Sequence, residues 1–212
     1  MRPMAHVLRP SWAALLLAVV VFVGGCTGPA TPPSDTPTTA PPPFADCAVL
    51  STTPGGATPA AGGPGPGAPA GSLPPELELP CFTGGEPVAL RSLRGPAVVN
   101  LWAAWCLPCR KELPAFQRLA ERAGDQVHVI GVNTKDDRVA AQTLADDLGV
   151  AFPTLYDLDE KLLHALEVPP FLPVTFFIDE AGRIRHIDQS GALDDADLAA
   201  ALERHLGVVV PL

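Results

Sequence analysis

The chain has 212 residues, enough for one ordinary domain with appendages, and a formal net charge of −9 from 14 basic and 23 acidic side chains. No basic block breaks the dispersed acidic pattern, which argues against nucleic-acid binding and against a polybasic membrane patch. Asp146-Asp147 and Asp194-Asp195 read as exposed helix faces or caps.

The first segment is not fold. Arg2 and Arg9 form a basic start, residues 12–23 an apolar run, and Gly24-Gly25-Cys26 follows. That is the layout of a secretory signal, and the run is too short to favour a spanning helix. Val23-Gly24-Gly25-Cys26 resembles a bacterial lipobox, with Val where Leu is commoner. The resemblance implies cleavage before Cys26 and lipidation of its thiol; the alternative is an ordinary cysteine at the end of an uncleaved anchor. Residues 1–25 therefore read as a lipoprotein signal peptide and 26–43 as a Pro/Thr-rich tether. A short island, 44–50, precedes a stretch over 53–72 of almost only Gly, Pro and Ala, which cannot build a core. Residues 44–75 are taken together as a Gly/Pro-rich segment ahead of a domain over 76–212, and no internal repeat is evident.

From Glu76 the composition becomes globular. Residues 77–82 and 87–90 read as short strands, and 97–103 as a buried strand. Residues 107–123 read as a helix bent near Pro114, because proline lacks the N–H and clashes one turn back. A second buried strand is expected over 127–132, a helix over 139–148 ending at Gly149, and a further helix over 159–166. Residues 174–178 and 183–189 form strands around a turn at Glu180-Ala181-Gly182, and 194–206 is an amphipathic closing helix. Strand–helix–strand units followed by a hairpin and a last helix indicate an α/β sandwich with a central mixed sheet.

Trp105-Cys106-Leu107-Pro108-Cys109 carries the chemistry. A buried strand feeding a C-x-x-C at the start of a helix is the geometry of dithiol–disulfide exchange. Cys106 falls where unpaired N–H groups and the positive end of the helix dipole favour a thiolate. Cys109 is placed to resolve a mixed disulfide. The bland alternatives are a structural disulfide or half of a zinc site. Zinc wants a second Cys/His pair at matching spacing, which is lacking, and none of the five His stands with another ligand, so no metal is expected. Of five Cys, setting aside Cys26 and the motif leaves Cys47 and Cys81 as a candidate bridge in an oxidising compartment. Closing that loop would contribute roughly 3–4 kcal/mol; the alternative is two unrelated free thiols.

Residues 100–114, NLWAAWCLPCRKELP, look like the TlpA/ResA/DsbE-type membrane-tethered thioredoxins. Residues 131–137, GVNTKDD, resemble the start of that family's central insertion, and 172–179, LPVTFFID, its cis-proline strand. The resemblance spans about residues 77–206 and implies a thioredoxin-like sandwich with the family's central insertion. It implies that Pro173 is a cis-proline facing the dithiol and that backbone at Leu172 pairs with an extended substrate, with Trp105 at the same binding surface. An ordinary trans loop proline is the alternative. Where cytoplasmic-type thioredoxins have a buried acid, this chain has Asn100, which cannot titrate. Glu112, three residues after Cys109, matches an acidic residue of the ResA-like branch and could manage the resolving thiol's proton. Its alternative is an exposed helix glutamate. Asp136 and Asp137 are taken as surface residues of the insertion.

The reading that follows is an exported, lipid-anchored, monomeric thiol–disulfide oxidoreductase of the cell membrane that needs no organic cofactor or metal. Its partners are exported proteins and a membrane or extracytoplasmic electron donor or acceptor. A reductant, as in cytochrome c maturation, and a disulfide-forming oxidant are both open. A non-enzymatic surface or metal-handling lipoprotein is the rival from another class. A peroxiredoxin-like peroxidase is disfavoured, since Ala103 stands where a Thr or Ser hydroxyl belongs three residues before Cys106.

Overall fold

The computed structural model describes residues 41–52, 54 and 71–211. The signal, the lipobox cysteine Cys26 and most of the Gly/Pro-rich stretch lie outside them. Two short strands, β1 (Glu78–Leu79) and β2 (Val88–Ala89), pair antiparallel. Then come β3 (Ala97–Trp102), α1 (Leu107–Ala123), β4 (His128–Thr134), α2 (Arg138–Leu148), β5 (Thr154–Asp157), α3 (Lys161–Leu166), β6 (Val174–Ile178), β7 (Ile184–Asp188) and α4 (Asp195–Leu206). The main sheet runs β5-β4-β3-β6-β7, with β3, β4 and β5 parallel and β6 and β7 antiparallel. This is the mixed sheet flanked by helices that the element order predicts.

Three local expectations are corrected. Residues 77–82 do not form one strand: after Leu79 the chain leaves β2, and Pro80 to Phe82 follow the edge of β5 through Phe82 N–H to Thr154 O (2.8 Å) and Tyr156 N–H to Pro80 O (2.9 Å). That edge, β5, has no counterpart in the sequence reading, because four residues after Pro153 give too short a pattern to recognise. The third helix starts at Lys161 rather than at Asp159, since Glu160 takes a left-handed φ of 55°. The Asp157 carboxylate accepts the Lys161 and Leu162 N–H groups (2.9 Å each) and fixes that start.

All six residues of β3 are buried because both faces of the sheet are covered. Val98 and Trp102 join a core that also holds Leu113, Phe116, Leu198 and Leu202 from α1 and α4. Ala97, Val99 and Leu101 join the other, with Leu162 and Leu163 of α3 and Leu79 of β1. The alternation follows the two-residue period of a strand. At the start of β3, the cis Gly95–Pro96 turn brings backbone against backbone: a Cβ on Gly95 would lie 2.0 Å from Ile178 O, so no side chain fits there.

Candidate functional site

Cys106 is the N-cap of α1, in an extended conformation, and its Sγ accepts the Cys109 N–H at 3.2 Å. A sulfur at this position meets orphan amide donors and the positive helix end, both of which favour negative charge on it. Pro108 falls in the first turn, where its missing N–H costs nothing. Cys106 and Cys109 are disulfide-bonded. Cys106 retains 4% of its surface in solvent, whereas Cys109 has none. Trp105 and Leu107, which flank Cys106 in the chain, are exposed, Trp105 at 56%, and so is Phe171, the residue before Leu172.

The Leu172–Pro173 peptide is cis. Leu101 of β3 lies opposite Val174 of antiparallel β6. The start of β6, with Leu172 and buried Pro173, is therefore at the sheet end from which the chain leaves β3 toward Cys106. Topology brings Trp105, Leu172 and Pro173 to the same end of the molecule as the dithiol.

Glu112 lies on the buried face of α1 that carries Cys109, with 1% of its surface exposed. Asn100 Nδ2 donates to Glu112 Oε1 (2.7 Å) and to Thr175 Oγ1 (3.3 Å), and the Leu193 N–H donates to Glu112 Oε2 (3.1 Å). Burial pushes the carboxyl up from 4.5 to about 7, against these two hydrogen bonds and with help from the Asp188 charge. The Leu193 donor is itself held in place. Asp194 caps α4 in a reciprocal box with Asp197, and Asp195 takes Arg118 of α1 in a two-point bond (2.9 and 2.5 Å) and Arg122 at 3.1 Å.

Asp136 overturns its assignment to the surface. It is buried, and its carboxylate accepts three donors: Ala104 N–H (2.5 Å), Asn133 Nδ2 (2.8 Å) and Asp137 N–H (3.0 Å). Tyr156 Oη donates to its carbonyl (2.9 Å), and Trp105 Nε1 donates to Lys135 O (2.9 Å). The loop after β4 thus grips the two residues just before Cys106. Asp137 is the N-cap of α2, accepting the Ala140 N–H. Sequence could not tell which of two adjacent aspartates turns inward. The signal was Asn133 three residues earlier, the last buried polar position but one in an otherwise apolar strand.

Cys47 and Cys81 are disulfide-bonded and both buried. Three residues before Cys47, Phe44 packs edge-on to Phe82 (4.7 Å between centroids) and near Trp102 (6.2 Å). Arg138 stacks over Phe82 and Tyr156, at 4.2 and 4.7 Å, and donates to Phe82 O. His186 and His205 stack at 4.0 Å, nearly parallel. Burial, then the His186 neighbour, lowers His205 to about 4. Among the described residues no group of three metal-ligating side chains comes together.

A mixed sheet with a C-x-x-C capping its first long helix, and a cis-proline at the same sheet end, defines the thioredoxin class of dithiol protein. The AhpC/TSA family pattern matches residues 70–187. The thiol-disulfide oxidoreductase ResA of Geobacillus kaustophilus is 33% identical over 143 residues, 66% of this chain and 78% of that protein. The thiol:disulfide interchange protein DsbE of Pseudomonas fluorescens biotype C is 41% identical over 113 residues, 52% of this chain and 61% of that one. Among solved structures, a DsbF homologue from Corynebacterium diphtheriae superposes with a TM-score of 0.56 at 26% identity, covering 70% of this chain and 99% of that chain. A secreted Mycobacterium tuberculosis disulfide oxidoreductase homologous to DsbE gives 0.52 at 25% identity, covering 59% and 92%. The chain belongs to the AhpC/TSA family, among its ResA-type thiol–disulfide oxidoreductases.

Proposed function

We propose that Cys106 is the attacking sulfur and Cys109 the resolving one. The Cys106 thiolate attacks a client disulfide, forms a mixed disulfide and releases one client thiolate. The Cys109 thiolate then attacks Cys106 Sγ and releases the second, so two electrons pass to the client and the Cys106–Cys109 disulfide is left. The same steps reversed oxidise a client dithiol. Electrons move by exchange alone, without organic cofactor or metal. Glu112 holds the proton that Cys109 gives up, as a buried carboxyl titrating near neutrality suits that task. Trp105, Leu172 and Pro173 form the platform on which an extended client lies. The observation that carries the reading is the difference between the two sulfurs: Cys106 caps the helix at the edge of an apolar rim, and Cys109 lies fully buried behind it.

The chain works on exported proteins outside the cytoplasm, held to the membrane by lipid on Cys26. The signal-like residues 1–26 support this. Insulin-disulfide reduction tests the activity, and a Cys109→Ser variant tests the roles. It should accumulate client mixed disulfides on Cys106, and Cys106→Ser should accumulate none; equal trapping by both rejects the assignment. The redox state of the pair in the cell, read by thiol trapping, reports the direction: reduced for a reductant, oxidised for an oxidant. A Cys26→Ala variant should leave the membrane fraction with its exchange activity intact.

A further inference from the structure

We propose that Asp188 is a positioning residue: its carboxylate, at the far end of a polar row that crosses the sheet from Glu112, holds the Glu112 carboxyl in its protonated form. The inference rests on the reading of Glu112 as the proton holder of the dithiol.

The row is set by register. Asn100 of β3 lies opposite Thr175 of β6, and Thr175 opposite Asp188 of β7. Directly paired residues of antiparallel strands project to the same face. Asn100 bonds both Glu112 and Thr175, so this is the face under α1. One step along, Val98, Phe177 and His186 make the next row of the same face, and α4 lays His205 on His186. Beside that row, a line of polar side chains crosses the layer, beginning at the carboxyl of α1 and ending at the carboxylate of β7.

Asp188 meets two local partners, Ser190 and His186. Its Oδ1 accepts the Ser190 N–H (2.8 Å) and Oγ (2.7 Å), a local turn that asparagine would serve equally. What asparagine would not supply is charge. The groups facing Glu112 decide what that charge does. Its own helix offers Cys109, β3 and β6 offer the neutral Asn100 and Thr175, and the approach to α4 offers a backbone N–H. Arg118 and Arg122 of α1 are taken up by Asp195 of α4. Beyond Asp188 stands His186, with Nε2 3.7 Å from Oδ2, and Arg185 points to Asp179 at 3.5 Å. Glu112 therefore has neutral donors around it and a negative group across the sheet. Two carboxyls on one face of a sheet, Glu112 buried and Asp188 half-buried, resist joint ionisation, and the more buried one keeps the proton.

The direct test is the titration of the Glu112 side-chain carboxyl carbon by NMR in the oxidised full chain, where the cysteines do not titrate. Asp188→Asn should lower its midpoint by about half a pH unit or more, and Asp146→Asn, an equal charge loss on the exposed face of α2, should leave it in place. A midpoint unmoved by Asp188→Asn, or moved equally by Asp146→Asn, overturns the proposal. A second measurement asks whether Asp188 acts through Glu112. The Cys106 alkylation rate against pH should shift in Asp188→Asn alone and show no further shift when Asp188→Asn is added to Glu112→Gln. A shift that persists in the double variant means Asp188 acts on the thiols directly and also overturns it. Failure of the Glu112 role in exchange would leave the NMR shift intact, so the two failures are separable.

Discussion

The two disulfides among the described residues are buried almost equally, yet their surroundings prepare them for opposite tasks. Cys47–Cys81 joins segments 34 residues apart and sits in the core layer with Leu50, Leu79 and Leu90. Cys106–Cys109 spans three residues, lies in the other layer, and has a helix N-terminus behind it and exposed Trp105 and Leu107 flanking Cys106. Burial therefore does not separate a cross-link from a reaction centre. What separates them is loop length, which sets how much denatured-state entropy the bond removes, and the local field on the sulfur, which sets how readily it leaves or attacks.

The largest effect is expected at the short bridge. Cys106→Ser should lower insulin reduction by about a thousandfold or more, while costing only the short loop's share of stability, about 2 kcal/mol. The reverse pattern is expected from the Cys47→Ser/Cys81→Ser pair. Denaturant unfolding should show a loss of about 4 kcal/mol, with exchange per folded molecule within about twofold of wild type. A comparable loss of exchange in the folded variant would join the two bridges into one device, through the Phe44–Phe82–Arg138–Tyr156 stack.

Glu112 sharpens the contrast, because it shares the buried face of α1 with Cys109 of the short bridge. Its folded-state value, about 7, is above the ordinary 4.5, so the native state holds a proton that the unfolded chain releases between those pH values. Its contribution is complete below about pH 4.5 and is lost as pH rises to 7, by about 3 kcal/mol. Thermal unfolding of Glu112→Gln across that window should show this downward slope removed. An identical slope would place the carboxyl in solvent.

Asp136→Asn gives the smallest effect. An amide keeps one acceptor oxygen where the carboxylate has two, so its NH2 would face at least one of the three donors, costing about 1–2 kcal/mol. Released from its anchor, Trp105 should change its fluorescence, and KM for a protein client should rise more than kcat falls. An unchanged spectrum with a reduced kcat alone would argue that the loop does not hold the platform.

Much of this was legible in the sequence because the decisive signals were local. Ala97 to Trp102 is apolar except for Asn100, and a C-x-x-C after it admits few readings. The long bridge was reached by counting cysteines. What stayed hidden depends on register and on pairings distant in sequence. Asp136 and Asp137 look alike until β4 fixes which one points inward. His186 and His205 are nineteen positions apart and meet only because α4 packs over β7. Glu112 shares a helix face with Cys109, but its burial depends on Leu193 and α4 closing over it from the far end of the chain. The edge strand β5 forms against Pro80 to Phe82, whose own pattern read as one strand with the residues before it.

The central claim, that one bridge reacts and the other holds, is tested most directly by graded reduction of the folded protein with dithiothreitol, quenching by alkylation and mapping each cysteine by mass spectrometry. The account predicts that Cys106 and Cys109 become labelled together at low reductant while Cys47 and Cys81 stay linked until the fold is lost. Labelling of Cys47 and Cys81 in step with the motif, or before it, would contradict it.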